Sequence, residues 1–125
     1  MNDLDGEHYK ALSEAWVRVR DDPDIRVAIV TGAGEKAFVA GADISEFETQ
    51  RSSSEAVSAY ERAGSAAYRA VTELEKPTIA MIHGFCVGGG VALALCADLR
   101  FASDDARFAV PAAKLGLGYT VALFE

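Results

Sequence analysis

The 125-residue sequence has only two cysteines, three prolines and one tryptophan, and it has no basic run and no long apolar run. Its longest apolar stretch, residues 87–97, contains glycines and is too short to span a membrane. Lys and Arg number 12 against 19 Asp and Glu, and no Lys/Arg stripe is interleaved with aromatics. This balance argues against nucleic-acid binding. We therefore expect neither a membrane nor a nucleic acid as a partner.

The two cysteines, Cys86 and Cys96, have no CxxC spacing and no nearby histidine. This pattern predicts two buried thiols in a reducing compartment and no metal site. The N-terminal residues 1–5 are acidic and polar, unlike a secretory signal, so we expect a cytoplasmic protein. A length of 125 residues with 50% hydrophobic residues indicates one domain, residues 1–125.

The spacing of apolar residues predicts two long amphipathic helices. The first begins near the N-terminus, with Asn2 or Asp3 as its N-cap. The second begins at a capping box formed by Ser52 and Glu55 and runs to about Leu74. Both helices have one apolar side, so we expect each to cover a sheet.

Four strands are predicted between and after these helices. The first, residues 25–31, follows a turn at 21–24 and is apolar almost throughout, which is typical of a strand buried on both faces. The others are residues 78–83, 99–102 and 107–110. Because helical segments separate most of the strands, the sequence predicts an α/β domain with a mostly parallel sheet.

Three consecutive glycines, Gly88, Gly89 and Gly90, lie between a predicted strand and a short apolar helix. Glycine inside regular structure costs roughly 0.5–1 kcal/mol relative to alanine, so a physical reason is needed for three in a row. One interpretation is that a ligand oxygen approaches the free amides at the helix N-terminus. The other is close packing of the helix against a strand. These residues alone leave both open.

Two further features carry weak signals. Residues 32–37 fit the loose dinucleotide pattern GxGxxA, but residues 38–43 do not continue as a helix and no acidic residue ends a second strand about 20 residues on. His8 and His83 have no Ser, Cys or carboxylate partner at a recognisable spacing. We expect both histidines to be structural or exposed.

Two segments considered together are more specific. Residues 36–44 (KAFVAGADI) and 83–90 (HGFCVGGG) closely resemble the two signature loops of the crotonase (enoyl-CoA hydratase/isomerase) superfamily, and residues 97–102 and 108–116 continue its pattern. The resemblance implies the crotonase-like (ClpP/crotonase) fold, built from repeated β-β-α units with a mostly parallel sheet. Members of this family are longer, so we expect a fragment that is incomplete at both ends, without the first strands and the C-terminal helices.

The resemblance also implies a binding mode. An acyl-CoA thioester is bound with its carbonyl oxygen between the backbone amides of Ala42 and Gly89, which stabilise an enolate. Ala40, Ala42, Asp43 and Ile44 resemble the loop that receives the adenine end of CoA. No separate cofactor is expected, because CoA is part of the thioester substrate. The family also implies a homotrimer or hexamer.

The sequence departs from the family at two positions. Hydratases of this family have glutamates where Ala92 and Ala112 stand here, and a methyl group cannot transfer a proton. Tyr119 matches the position of an active-site tyrosine in members that decarboxylate malonyl-type CoA esters; the alternative is a packed aromatic with its hydroxyl at the surface. Those members also commonly carry a histidine in the first loop, where residues 38–40 are Phe, Val and Ala here.

Three functional hypotheses follow from these residues. The first is an enolate-stabilising acyl-CoA enzyme that decarboxylates its substrate or cleaves the thioester. The second is a non-catalytic acyl-CoA-binding protein that keeps the two loops. The third is an inactive fragment. The two alanines disfavour classical hydration in each case.

Overall fold

The computed structural model of the protein describes residues 2–41, 53–111 and 114. Within these residues the chain forms three helices and six strands. In chain order they are α1 (Gly6–Asp21), β1 (Ala28–Thr31), β2 (Ala37–Val39), α2 (Ser54–Thr72), β3 (Thr78–Ile82), β4 (Phe85–Val87), α3 (Gly89–Cys96), β5 (Leu99–Ala102) and β6 (Arg107–Ala109).

The strands form two parallel three-stranded sheets, with the orders β1-β3-β5 and β2-β4-β6. Consecutive strands therefore alternate between the two sheets. After each two strands, one in each sheet, a helix (α2 or α3) connects to the next two strands. In the first sheet, Ile79 pairs with Ile29 on one side and with Leu99 on the other. This arrangement confirms the prediction of parallel strands in repeated β-β-α units.

The N-cap of α1 is Asp5, whose carboxylate accepts the N–H of the residue three positions on. The prediction of Asn2 or Asp3 as the cap is wrong. Those residues are extended because the segment pairs with the end of β2, where the N–H of Leu4 donates to the carbonyl oxygen of Gly41 at 3.0 Å. A helix cannot begin until that pairing ends.

The second helix begins one residue later than predicted. Its N-cap is Ser53, whose hydroxyl accepts the N–H of Ala56 at 3.2 Å, and Ser52 lies outside the described residues. A run of three serines offers several chemically equivalent caps, so the pattern could not select one of them. The helix ends at Thr72, close to the predicted end at Leu74.

One hydrophobic core joins the helices to both sheets. The largest side chains that are almost completely buried are Phe38, Thr78 and Cys86, which come from β2, β3 and β4. Around them lie the other buried apolar residues: Leu4, Tyr9, Trp16, Ala28, Val39, Ala67, Val71, Ala80, Ile82, Leu93, Ala94 and Ala97. Buried side chains of β2 and β4 are therefore part of this core.

The first sheet is not covered on both faces by the described residues. Ile29, Met81 and Phe101 are 59%, 51% and 61% exposed. The prediction that strand 25–31 is buried on both faces is therefore wrong for this part of the chain. Side chains alternate along β1, so Ala28 faces the core while Ile29 points to the opposite face. The strand is also shorter than predicted, because pairing with β3 begins at Ala28.

Within the described ranges, no helix combines the length and the hydropathy that crossing a bilayer requires.

Candidate functional site

The two segments that resembled signature loops each contain a short strand. In the second sheet, β2 and β4 pair in parallel, with Val39 opposite Cys86. Because parallel neighbours end at the same edge of a sheet, the residues after both strands emerge side by side. A Cβ atom placed on Gly41 would lie 3.7 Å from Cγ1 of Val87. Gly41 and Val87, which follow and end these two strands, therefore lie close together.

The glycines at the start of α3 have different physical roles. Gly88 is the N-cap of the helix and has a φ of +57°, a backbone conformation that favours glycine. A Cβ atom on Gly90 would lie 2.5 Å from Cβ of Val39, so this glycine allows α3 to pack closely against β2. The close-packing interpretation thus holds for Gly90. A ligand at the helix end needs only the backbone of Gly89.

Gly89 is the first residue of α3, and its amide is one of the donors that a helix leaves free. The N–H groups of Val91 and Ala92 donate to the carbonyl oxygen of Gly88, at 3.0 and 3.4 Å. Among residues 2–41 and 53–111, no backbone carbonyl accepts the N–H of Gly89 or Gly90. The helix dipole adds positive potential at this end. The arrangement can donate hydrogen bonds to a carbonyl or anionic oxygen.

Two tyrosine hydroxyls contact Gly89 from the helices that pack over it. The hydroxyl of Tyr68, on α2, donates to the carbonyl oxygen of Gly89 at 3.2 Å. The hydroxyl of Tyr9, on α1, lies 2.8 Å from that of Tyr68. A Cβ atom on Gly89 would lie 2.9 Å from both hydroxyl oxygens. The candidate site is therefore supported by all three helices.

Sequence reasoning missed this tyrosine cluster, which we define as Tyr9, Tyr60 and Tyr68. The ring of Tyr9 packs edge-on against the rings of the other two, with centroids 5.4 and 5.7 Å apart. Gly64, between them on α2, gives space for the ring of Tyr9. The available signal was the spacing of Tyr60, Gly64 and Tyr68, which places all three on one side of a helix.

The described residues include two of the predicted site residues. Gly89 is at the N-terminus of α3, and Ala40 follows β2, where its N–H donates to the carbonyl oxygen of Asn2 at 2.8 Å. Ala92 lies one helical turn after Gly89 and is half-buried. The remaining predictions fall outside the described residues: Ala42, Asp43, Ile44, Ala112 and Tyr119.

Among the described residues, Cys86 is buried and both histidines have hydrogen-bond partners. Burial raises the pKa of the Cys86 thiol to about 11, which makes it a poor nucleophile at neutral pH. Nε2 of His83 lies 2.9 Å from the carbonyl oxygen of Gly34. Nδ1 of His8 lies 2.6 Å from the Asp5 carboxylate, so the expectation that His8 has no carboxylate partner is wrong. Among the residues the structure describes, no three His, Cys, Asp or Glu side chains come together as metal ligands.

Comparison with known families and sequences agrees with this geometry. The model of the family described as Enoyl-CoA hydratase/isomerase matches residues 1–122. The chain is 44% identical over 127 residues to (E)-benzylidenesuccinyl-CoA hydratase of Thauera aromatica, covering 98% of this chain and 48% of the relative. It is 41% identical over 120 residues to crotonyl-CoA hydratase of Syntrophomonas wolfei, covering 96% and 45%. The chain thus spans about half the length of these relatives.

Solved structures give the same result for the fold. An enoyl-CoA hydratase/isomerase family protein from Hyphomonas neptunium superposes with a TM-score of 0.92 at 40% identity, over 97% of this chain and 46% of the other. An enoyl-CoA hydratase/carnithine racemase from Magnetospirillum magneticum gives a TM-score of 0.91 at 38% identity, over 98% and 47%. The alternating sheets described above are therefore part of the crotonase fold.

Proposed function

The chain belongs to the enoyl-CoA hydratase/isomerase family, and on that basis we propose that it binds an acyl-CoA thioester with the carbonyl oxygen between the backbone amides of Ala42 and Gly89. The pairing of β2 with β4 is the observation that carries this proposal. It brings Gly41, the residue before Ala42, close to Val87 at the edge where α3 begins. The proposal is that the amides of Ala42 and Gly89 both donate to one oxygen atom at this edge.

The proposed role of the two amides is to stabilise negative charge on the thioester oxygen. When the α-carbon of the acyl group becomes a carbanion, its charge is delocalised onto that oxygen as an enolate. Fixed N–H dipoles that are directed at the oxygen lower the energy of this state, and the loss of one such donor typically costs about 2.7–4 kcal/mol. The free amide of Gly89 at a helix N-terminus supports this role.

The CoA part of the ligand is proposed to lie along the first segment. Ala40, Ala42, Asp43 and Ile44 are the residues that resemble the adenine-binding loop of the family. Ala40 is held at the end of β2 by its hydrogen bond to Asn2. This hydrogen bond therefore fixes the described start of the proposed CoA-binding segment.

We propose that the reaction is not a classical hydration, although two relatives carry hydratase names. Ala92 and Ala112 stand where the family hydratases have glutamates, and a general acid or base typically contributes about 10²–10⁴-fold to the rate. Decarboxylation or thioester cleavage needs enolate or oxyanion stabilisation without those two carboxylates. In decarboxylation, the phenol of Tyr119 would donate a proton or a hydrogen bond. The methyl group of Ala92 equally favours a site that binds acyl-CoA without turning it over.

A titration observed by NMR tests the binding mode without any substitution. The ¹⁵N-labelled chain is titrated with butyryl-CoA and, as a matched ligand, with free CoA, which has no thioester carbonyl. We expect the amide protons of Ala42 and Gly89 to move downfield with butyryl-CoA and to stay near their starting positions with CoA. Saturable butyryl-CoA binding that leaves both amide resonances unmoved would contradict the proposal.

A further inference from the structure

We propose that Tyr68, supported by Tyr9, is a positioning residue that fixes the backbone of Gly89 so that its amide is held ready for the thioester oxygen. This inference rests on the proposed function. Its basis is the contact of both hydroxyls with a residue that has no side chain of its own to hold it. Neither tyrosine is proposed to touch the substrate.

The direction of the hydrogen bonds gives the order of the interaction. Tyr68 uses its hydroxyl proton to donate to the carbonyl oxygen of Gly89. Either hydroxyl could donate in the 2.8 Å contact between them, and in the arrangement we propose Tyr9 donates to Tyr68. Donation by Tyr9 polarises the Tyr68 hydroxyl and makes it a stronger donor, because hydrogen bonds in a chain reinforce one another. The two helices thus act on Gly89 through one pair of oxygen atoms.

The peptide group before Gly89 joins two glycines, so neither residue restricts its rotation by means of a side chain. The backbone holds its carbonyl side, where Gly88 accepts the N–H groups of Val91 and Ala92. An amide that stabilises a transition state is effective only if its direction is fixed before the charge develops. The hydrogen bond from Tyr68 anchors Gly89 on its carbonyl side. Close packing of Gly90 on Val39 anchors the next residue.

Tyr60 provides a matched control inside the same cluster. Its ring packs edge-on against Tyr9, with centroids 5.4 Å apart. Its hydroxyl donates to the carbonyl oxygen of Leu4 at 2.9 Å. Tyr60→Phe therefore removes a hydrogen bond of the same chemical kind from the same packed cluster, and leaves the Tyr68–Gly89 hydrogen bond in place.

Infrared spectroscopy of bound butyryl-CoA, ¹³C-labelled at the thioester carbonyl, tests the inference on the whole chain. In the unsubstituted protein, we expect the wavenumber of the carbonyl stretch to fall on binding. In Tyr68→Phe this fall should be smaller, and butyryl-CoA should bind about three- to tenfold more weakly, the value of one hydrogen bond. Free CoA should bind all variants equally. In Tyr60→Phe the wavenumber should fall as much as it does in the unsubstituted protein.

Each other outcome has a definite meaning. A Tyr68→Phe variant that is folded by circular dichroism and keeps the full fall and affinity would overturn the positioning role while leaving the proposed function intact. Absence of any fall in the unsubstituted protein would overturn the proposed function itself. If Tyr68→Phe does not fold, Tyr9→Phe replaces it, because it keeps the Tyr68 hydroxyl and removes the hydroxyl that contacts it. In Tyr9→Phe, we expect the wavenumber to fall slightly less on binding than it does in the unsubstituted protein. A fall of the same size as in the unsubstituted protein would overturn the inference.

Discussion

The carboxylate of Asp98 accepts hydrogen bonds from both the backbone N–H and the hydroxyl of Thr78, at 2.8 and 3.0 Å. The same hydroxyl accepts the backbone N–H of Asp98 at 3.1 Å. Thr78 is only 1% exposed and begins β3, while Asp98 immediately precedes β5. The pair therefore fixes the starts of two neighbouring strands relative to each other.

Replacing Asp98 by alanine is expected to destabilise the fold by about 1–3 kcal/mol, because it leaves the buried N–H and hydroxyl of Thr78 without an acceptor. Urea unfolding followed by circular dichroism measures the change. Asp104→Ala, in the exposed turn before β6, is the control and should change stability by less than about 0.5 kcal/mol. Equal effects of the two substitutions would show that the Thr78 contact contributes nothing.

Gly90→Ala is expected to destabilise the protein by about 1–3 kcal/mol, because the new methyl group would lie 2.5 Å from Cβ of Val39 and force α3 away from β2. Thermal unfolding measures this loss. Gly6→Ala is the matched control, since a Cβ atom there meets nothing within 4 Å and alanine favours the helix. That variant should be as stable as the original or more so. A Gly90→Ala protein with unchanged stability would refute the close packing.

The buried thiol of Cys86 is expected to make the fold weaker at high pH. Burial raises its pKa from 9.0 to about 11 in the folded state, so the unfolded chain loses this proton first as the pH rises. The contribution of the protonated thiol to the free energy of unfolding is complete below pH 9 and is lost between about pH 9 and 11. Its size is on the order of 2 kcal/mol. Urea unfolding from pH 8 to 11 measures it.

Cys86→Ala is the control for that experiment. It removes the titrating group, so the difference in stability between the two proteins should shrink as the pH rises through this window. Other groups that titrate there affect both proteins alike and cancel in the difference. A difference that stays constant from pH 8 to 11 would mean that the thiol is not held protonated by the fold.

Hydration of crotonyl-CoA is expected to proceed no faster with the protein than in buffer, because Ala92 and Ala112 provide no carboxylate. The decrease of absorbance of the conjugated thioester measures the rate. Introducing Ala92→Glu together with Ala112→Glu should raise the rate above that of the original chain. Efficient hydration by the unsubstituted chain would show that another acid or base replaces the family glutamates.

Malonyl-, methylmalonyl- and ethylmalonyl-CoA are the expected substrates if the site decarboxylates. Release of carbon dioxide measures turnover, and Tyr119→Phe should reduce it about 10²-fold or more if the phenol transfers the proton. Tyr60→Phe is a suitable control, because it removes a phenol that donates to Leu4 in the core. Unchanged turnover in Tyr119→Phe would remove Tyr119 from the mechanism.

The features that could be predicted from sequence were those with long local patterns. Strand β5 spans the predicted residues, and β3 and β6 are each one residue shorter than predicted. The sequence predicts loops where β2 and β4 lie, because each strand has only three residues. Their existence depends on pairing between residues that are 47 or 48 positions apart in the chain, which no local window contains.

The candidate site also has parts that local sequence predicts and parts that depend on residues far apart in the chain. The three glycines before an apolar helix form a local pattern that marks this region, and the family resemblance selects Gly89 among them. The support from Tyr9 and Tyr68 could not, since these residues are 59 positions apart and meet only when α1 and α2 pack. The exposed face that contains Ile29 was also unpredictable, because an apolar run does not reveal which of its sides finds a partner.

The alternation of strands between two sheets has a consequence for how the chain acquires its structure. Every β-β-α step adds one strand to each sheet beside the strand laid down by the preceding step. A chain that emerges from the ribosome in this order can therefore fold stepwise, because each completed β-β-α unit provides the strands with which the next unit pairs. Folding would then advance in the same direction as synthesis, one unit at a time.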